Sequence, residues 1–455
     1  MGFSRLLIAN RGEIAVRIQR AARELGMTTI QAHSTADADS LAVKMADHAV
    51  NIGPPQAAKS YLNISAILDA AAATGAEAIH PGYGFLSENA GFADAVEAAG
   101  LVFCGPKGET IRTMGDKAAA RAAAEAAGVS VVPGSPGRVA DLAAARGIGA
   151  EIGYPVMIKA SAGGGGRGIR VVEDESGLET AFDQASAEAK AAFGDGGLYL
   201  EKFIARARHI EVQVLGDGRD AIHCYERECS LQRRRQKVWE EAPSRALSAE
   251  ARAAICESAV ALARSVHYRG AGTLEYLYDD ASGQFYFIEM NTRIQVEHPV
   301  TEMVTGIDLV REMLRIAAGA PLAYKQSDVR LTGHAIEARI NAEDPAQKFR
   351  PSPGTVTQYR PPGGPGVRFD TLLYQGYQIS PFYDSLLGKL IVWDETREAA
   401  LARMRRALAE LIVEGVATTA PLHQDLAEAE AVRSGAFHTR WLEDWLSSRD
   451  ALAAS

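Results

Sequence analysis

Between Phe285 and Glu302 the sequence changes character within a few residues. Phe285, Tyr286, Phe287 and Ile288 read as a buried strand, and Glu289, Asn291, Arg293, Gln295 and Glu297 follow at a spacing of two. In an extended segment that spacing puts all five on one face. Two carboxylates, two amides and a guanidinium are costly to bury together unless a metal ion, a phosphate or a small anion meets them. The bland alternative is a solvated edge strand of alternating charge. It fits poorly with a run that continues an apolar strand without a turn. Glu275 adds a further carboxylate inside the otherwise apolar stretch Gly272–Leu277, on a strand joined to the first by the turn-rich loop Asp279–Gly283. Glu275 and Glu289 on neighbouring strands, with Asn291 beside them, suit a divalent cation such as Mg²⁺ bridging phosphates.

Three other stretches could do chemistry. Lys159–Gly168 holds four consecutive glycines, Gly163, Gly164, Gly165 and Gly166, between two predicted strands. Without Cβ atoms, backbone N–H groups there can close on an anion. The Walker pattern is absent, so the reading is a mobile flap over a triphosphate, against the alternative of a flexible hairpin tip. Cys229–Lys237 is a basic run followed by Glu240 and Glu241; it is either a solvated face or the anion-positioning wall of a cleft. Gly333–Asp344 alternates again and sets Glu337, Arg339 and Asn341 on one strand face, where a structural salt-bridge ladder competes with a site role for Glu337 and Asn341.

Positioning these groups requires a scaffold. Strand-like Leu6–Ala9, helical Ile14–Leu25, strand-like Thr28–His33, helical Ala66–Thr74, and short strands at Ala78–His80 and Leu101–Cys104 alternate as in a parallel, doubly wound sheet. Ligands meet such sheets beyond the carboxyl ends of the strands, so the loops at residues 10–13 and 80–88 should face a cleft. The first loop lacks GxGxxG, and no dinucleotide site is read there. Residues 132–203 read as a small α+β unit: a helix over 139–151, strands at Tyr154–Ala160, Ile169–Val172 and Leu198–Phe203, and a helix over Glu175–Ala192. Strands dominate from His209, helices are expected at Ala249–Val266, Ile307–Ala318 and Arg397–Ile412, and the tail from Ala427 reads as helical. The Pro- and Gly-rich segment Pro351–Gly366 marks a boundary or an exposed loop.

At 455 residues the chain is too long for one hydrophobic core. A net charge of -9 argues against a general nucleic-acid or membrane-surface binder. The four cysteines lack zinc-site spacing and read as reduced, buried thiols of a cytoplasmic protein. Neither a signal-peptide pattern nor an apolar run of transmembrane length is present.

Taken together, Ala9–Ile14, His80–Asn89, Met114–Lys117, the glycine loop, Gln232–Lys237, Gly270–Thr273, Glu289–Thr305 and Gly333–Pro345 resemble the biotin carboxylases of the ATP-grasp superfamily, in family order and over nearly the whole chain. The resemblance implies an α/β ATP-grasp fold. Its parts would be a doubly wound, Rossmann-like N-terminal domain (1–114), an ATP-grasp domain (115–330) with a mobile α+β lid (about 132–203), and a C-terminal α+β domain (331–455). It implies that Lys117, Lys159, Gly164, Gly165, Gly166, Glu201, Lys202, Ile204, His209, Gln232 and Leu277 hold ATP, and that Glu275, Glu289 and Asn291 bind Mg²⁺ or Mn²⁺. Lys237, Arg293, Gln295 and Val296 would surround bicarbonate, Glu297 would be the base, and Arg339 and Tyr83 would face biotin. Two positions depart from the family pattern: Arg235 stands where His or Asn is usual, and Ala162 where some members have another glycine.

The activity implied is ATP-dependent carboxylation of biotin through carboxyphosphate, as the first half-reaction of an acetyl- or acyl-CoA carboxylase in fatty-acid metabolism. The partners implied are a second copy of the chain, a separate biotin carboxyl carrier protein and an acyl-CoA carboxyltransferase subunit. The nearest approach to a biotin-acceptor motif, Ala42–Met45, sits in a helical pattern and reads as chance. The rival readings are another ATP-grasp ligase, using bicarbonate with ammonia or a nucleotide, and a nucleotide-binding scaffold without catalysis.

Overall fold

The computed structural model describes residues 2–160, 169–193 and 196–453. Leu6, Leu7 and Ile8 are wholly buried, as befits a strand covered on both faces by helices. Their strand, Arg5–Ile8, is central in a five-stranded parallel sheet ordered His48–Gly53, Thr28–Ser34, Arg5–Ile8, Ala78–His80, Val102–Phe103. The first of these was not expected from sequence, because half of its residues are exposed and they show no apolar run. The loops leaving Ile8 and His80 are tied together at the carboxyl edge, where Asn10 Nδ2 donates to the carbonyls of Pro81 at 2.6 Å and Tyr83 at 2.8 Å. Gly82 makes that approach possible: its φ is +64°, and a Cβ there would stand 2.8 Å from Asn10 Nδ2.

Helix Gly12–Glu24 buries Ile14, Ala15 and Ile18 against Leu309, Met313 and Leu314 of helix Leu309–Ala317, and against Leu215 and Ala271 of the main sheet. The main sheet has eight strands in the order Phe285–Asn291, Arg269–Asp279, Ala207–Asp217, Ala221–Arg233, Gln236–Ala242, His334–Asn341, Leu386–Asp394, Val367–Thr371. All neighbours in it are antiparallel. The hairpin around Asp279–Gly283 is as expected but longer. The expected helix Arg397–Ile412 ends at Glu410, and Ile412–Glu414 is instead a short strand paired with Gln358–Arg360.

The small unit has its own three-stranded sheet, Ile169–Val172, Val156–Ala160 and Leu198–Lys202, backed by helices Leu142–Ile152 and Glu175–Phe193. Its core, including Ile158, Leu178, Ala185 and Leu200, is separate from the others. The glycine run Gly163–Gly166 lies outside the described residues. All four cysteines are free and buried. Among the described residues no helix is long and apolar enough to cross a membrane.

Candidate active site

Strand register builds the site. Glu275 is paired with Glu211 on one side and with Glu289 on the other, and Glu211 is paired with Arg227. Directly paired residues of antiparallel strands share a face, and like charges so placed repel. Cations from other strands of the same sheet resolve the conflict. Arg227, wholly buried, donates to Glu211 Oε1 at 2.6 Å, Gln213 at 2.7 Å, Thr301 at 2.9 Å, Gln295 at 3.0 Å and Thr273 at 3.1 Å. Lys237, from strand Gln236–Ala242, reaches Glu211 at 2.5 Å, Glu297 at 2.6 Å and Glu275 at 2.8 Å. Arg339 closes the far side, with Nη2 2.9 Å from Glu297 Oε2 and Nε 2.6 Å from Glu240 Oε1.

The expected single face over Glu289–Glu297 needs correction. The strand ends at Asn291, and residues 292–297 form a loop and turn before helix His298–Thr305, which Pro299 initiates within its first turn. The polar residues converge through side-chain bonds instead of pleat periodicity. Asn291 and Gln295 each donate to Glu275 Oε1 at 3.0 Å. Arg293 donates to Asn291 at 3.0 Å and to Glu88 at 2.8 Å. The Gln295 and Val296 N–H groups meet no acceptor among the described residues, and they stand at the start of a helix, where anions are favoured.

The other singled-out residues are spread more widely. His209 Nε2 lies 3.2 Å from Glu275. Leu277, half-buried, is paired in register with His209 and Tyr286. Lys117 opens helix Lys117–Ala126 and is exposed. Lys159 is ion-paired with Glu201 inside the small unit. The Lys202 ammonium bonds to the carbonyls of Gly153 at 2.9 Å and Tyr154 at 3.0 Å. Ile204 follows that strand, and the Gln232 amide turns back to Cys229 O at 2.9 Å. Tyr83 donates its hydroxyl to Glu13. In the basic run only Lys237 enters the carboxylate cluster; Arg234 and Arg235 form the hairpin turn, and Arg233 stacks on Phe349 at 3.6 Å. Arg339 pairs across strands with Glu240, whereas Glu337, one of the two residues for which a salt-bridge ladder was weighed, is wholly buried with neither oxygen hydrogen-bonded among the described residues. Asn341 bonds to Ser385 at 3.1 Å.

Glu211, Arg227, Glu13 and Lys389 were not singled out from sequence, and Glu240 was noted only as following the basic run. The signal for Glu211 was present, since His209, Glu211 and Gln213 alternate along an apolar strand. Nothing local marked Arg227.

Burial alone would raise the carboxyls of Glu211 and Glu275, but Lys237 foremost holds both well below the carboxylate range. Burial would neutralise the Lys237 ammonium; Glu211, Glu297 and Glu275 instead raise it well above its ordinary value. Glu297 is lowered: burial is the largest influence and works against it, as does Glu211, but Lys237, Arg339 and Arg227 together outweigh them. His209, which burial would lower, is lifted to about 9 by Glu275 and Glu211. Glu289 moves up, through burial and then repulsion by Glu275, and has no ion pair among the described residues. A carboxylate so placed, paired in register with Glu275 on the next strand, offers oxygen donors of the kind a hard divalent cation takes.

Known proteins resemble this chain over nearly its whole length. The family described as biotin carboxylase, N-terminal domain, matches residues 2–111. The carbamoyl-phosphate synthase L chain ATP-binding domain matches 116–325, and the biotin carboxylase C-terminal domain 337–444. Biotin carboxylase of Haemophilus influenzae is 53% identical over 98% of this chain and 99% of its own. Biotin carboxylase 1 of Bacillus subtilis is 52% identical over 97% of this chain and 98% of its own. The biotin carboxylase–βγ-ATP complex from Campylobacter jejuni superposes with a TM-score of 0.89 at 47% identity, covering 97% of this chain and 99% of that one. The bicarbonate-bound biotin carboxylase domain of a thermophilic 2-oxoglutarate carboxylase gives 0.93 at 48%, covering 97% and 98%. With matches of this extent at both ends and through the centre, the chain belongs to the biotin carboxylase family of ATP-grasp enzymes.

Proposed function

We propose that the chain, an ATP-dependent ligase by family, carboxylates biotin borne on a separate carrier protein in the cytoplasm and hands it to an acyl-CoA carboxyltransferase. The observation that carries the reading is the Glu297 carboxylate held between Lys237 at 2.6 Å and Arg339 at 2.9 Å, next to N–H groups that meet no acceptor among the described residues. Ionised at neutral pH, Glu297 can take a proton. Bicarbonate entering between Lys237, Arg293 and the Gln295–Val296 amides draws the Lys237 ammonium away from Glu297. That raises the carboxylate's proton affinity just where the bicarbonate proton lies. The same cations hold the deprotonated anion for attack on the γ-phosphorus of ATP, displacing ADP and giving carboxyphosphate, whose breakdown to CO₂ releases a phosphate that takes the N1′ proton of biotin. Arg339, released from Glu297 as that carboxylate is protonated, is free to stabilise the ureido oxygenate of biotin, with Tyr83 alongside. Lys117, Lys159, His209 and the Glu201–Ile204 segment serve the nucleotide. Glu275, Glu289 and Asn291 would hold Mg²⁺, which when bound supplies charge neutralisation on the phosphates. A solved relative is a biotin carboxylase domain dimer with MgADP and bicarbonate, which supports the metal assignment and a homodimer here.

The match to a carbamoyl-phosphate synthase domain favours one alternative, a bicarbonate-dependent ligase acting on ammonia. Stimulation of ATP hydrolysis by free biotin separates the two. The decisive variant is Glu297→Gln. It should lower bicarbonate-dependent phosphate release by about 10²-fold or more, with nucleotide affinity unchanged by calorimetry. Equal loss of both would make Glu297 structural. Arg339→Ala should retain bicarbonate-dependent ATPase better than biotin carboxylation, and parallel loss would withdraw its assignment to biotin.

A further inference from the structure

Strands His334–Asn341 and Leu386–Asp394 align Arg339 with Lys389. Aligned residues of an antiparallel pair share a face, so both cations project toward the turn that carries Val296 and Glu297. Arg339 Nη2 donates to Glu297 Oε2 at 2.9 Å, and Lys389 Nζ donates to the main-chain carbonyl of Val296 at 2.8 Å. One cross-strand pair thus grips the side chain of residue 297 and the peptide group just before it. That peptide is planar, so its C=O and the Glu297 N–H leave one rigid plate in opposite directions. Holding the carbonyl fixes the direction in which Glu297 departs from the turn.

Lys389 is wholly buried, and its second partner is Glu13 Oε1 at 3.2 Å, in the first turn of helix Gly12–Glu24. Glu13 accepts the Tyr83 hydroxyl, and its other oxygen has no hydrogen-bond partner among the described residues. An apolar side chain would fill the position without desolvating a charge; what it could not do is hold a carbonyl of one part of the molecule and a carboxylate of another.

We infer that Lys389 is a positioning residue for carboxylation: it holds the Val296–Glu297 peptide in the orientation that presents Glu297 to bicarbonate, and through Glu13 it couples that orientation to Tyr83. The inference rests on the roles proposed above for Glu297 and Tyr83.

Lys389→Met keeps the stem and removes the donor but leaves Glu13 without its cation, so it is paired with the double variant Lys389→Met/Glu13→Gln. Full-length proteins are assayed for bicarbonate-dependent ATP hydrolysis with free biotin, and for binding of a non-hydrolysable ATP analogue. The expected result is a bicarbonate KM raised about tenfold or more, the scale of losing a charged hydrogen bond, with analogue affinity within about twofold. An unchanged bicarbonate KM overturns the inference, as does a parallel loss of analogue affinity, which a general structural role would produce. If neither methionine variant folds, Lys389→Arg decides, because it keeps the charge and displaces the donor: an unchanged KM there is equally fatal, and a raised one supports the role. Wild-type protein that hydrolyses no ATP with bicarbonate and biotin removes the parent reading and this role with it; an active wild type with indifferent variants removes this inference alone.

Discussion

A guanidinium has five N–H donors in a fixed fork, and Arg227 uses all five on five different residues from two strands, a loop and a helix. It is less a ligand-binding group than the joint that lets Glu211, Gln295 and Thr301 sit together in a dry place. Arg227→Met should therefore destabilise the protein by about 3–5 kcal/mol, since it leaves Glu211 with only part of its compensation; urea unfolding followed by circular dichroism measures it. A second expectation concerns acid. Burial would raise the Asp370 carboxyl, but Arg368 overrides burial and brings it down from 3.8 to about 2. A carboxyl depressed on folding stabilises above its unfolded value and loses that contribution as pH falls through the folded one. Asp370 should thus contribute about 2 kcal/mol at neutral pH, lost between pH 3.8 and about 2. Asp370→Asn should flatten the unfolding midpoint across that window relative to wild type; identical pH slopes in the two proteins would refute it.

At the scale of the element, the hairpin joining Ala221–Arg233 to Gln236–Ala242 brings Lys237 to the cluster. Its two turn residues, Arg234 and Arg235, have φ of +48° and +65°. Two-residue hairpin turns with positive φ at both positions favour Asn-Gly, and a side chain held in that region costs roughly 1–2 kcal/mol. Arg234→Asn combined with Arg235→Gly should accordingly raise stability by about 1 kcal/mol, read as a shift in the denaturant midpoint. The same protein tests the family departure at position 235, because a nucleotide contact by Arg235 would show as weakened ATP-analogue binding despite the added stability.

In the whole molecule, the eight-stranded sheet runs without a break across residue 330. Strand Gln236–Ala242 pairs with His334–Asn341, and Trp239, Ile336, Ala338 and Leu390 share one core. A fragment ending at residue 330 would expose Trp239 and remove both Arg339 and Lys389. It should show no cooperative thermal transition and should aggregate; a soluble, cooperatively melting fragment would show that the first 330 residues stabilise themselves.

Much of this was legible in the residues alone. Parallel alternation at the N-terminus, the small α+β unit, the hairpin that pairs Glu275 with Glu289, and the charged residues from Glu289 to Glu297 all follow from local pattern, because apolar periodicity and turn composition act over a few residues. Family motifs, being short runs in order, were equally local. What sequence spacing misjudged was the geometry after Asn291, where Pro299 and the helix start end the strand and side-chain bonds replace pleat alternation. Nor could it reveal Arg227, Glu13 or Lys389, or the partner of Glu240, since a lone polar residue in an apolar strand looks alike whether it meets solvent, a partner or nothing. Only the folding of distant strands into one sheet decides which carboxylate each cation meets, and electrostatic energy depends on that distance, not on separation along the chain.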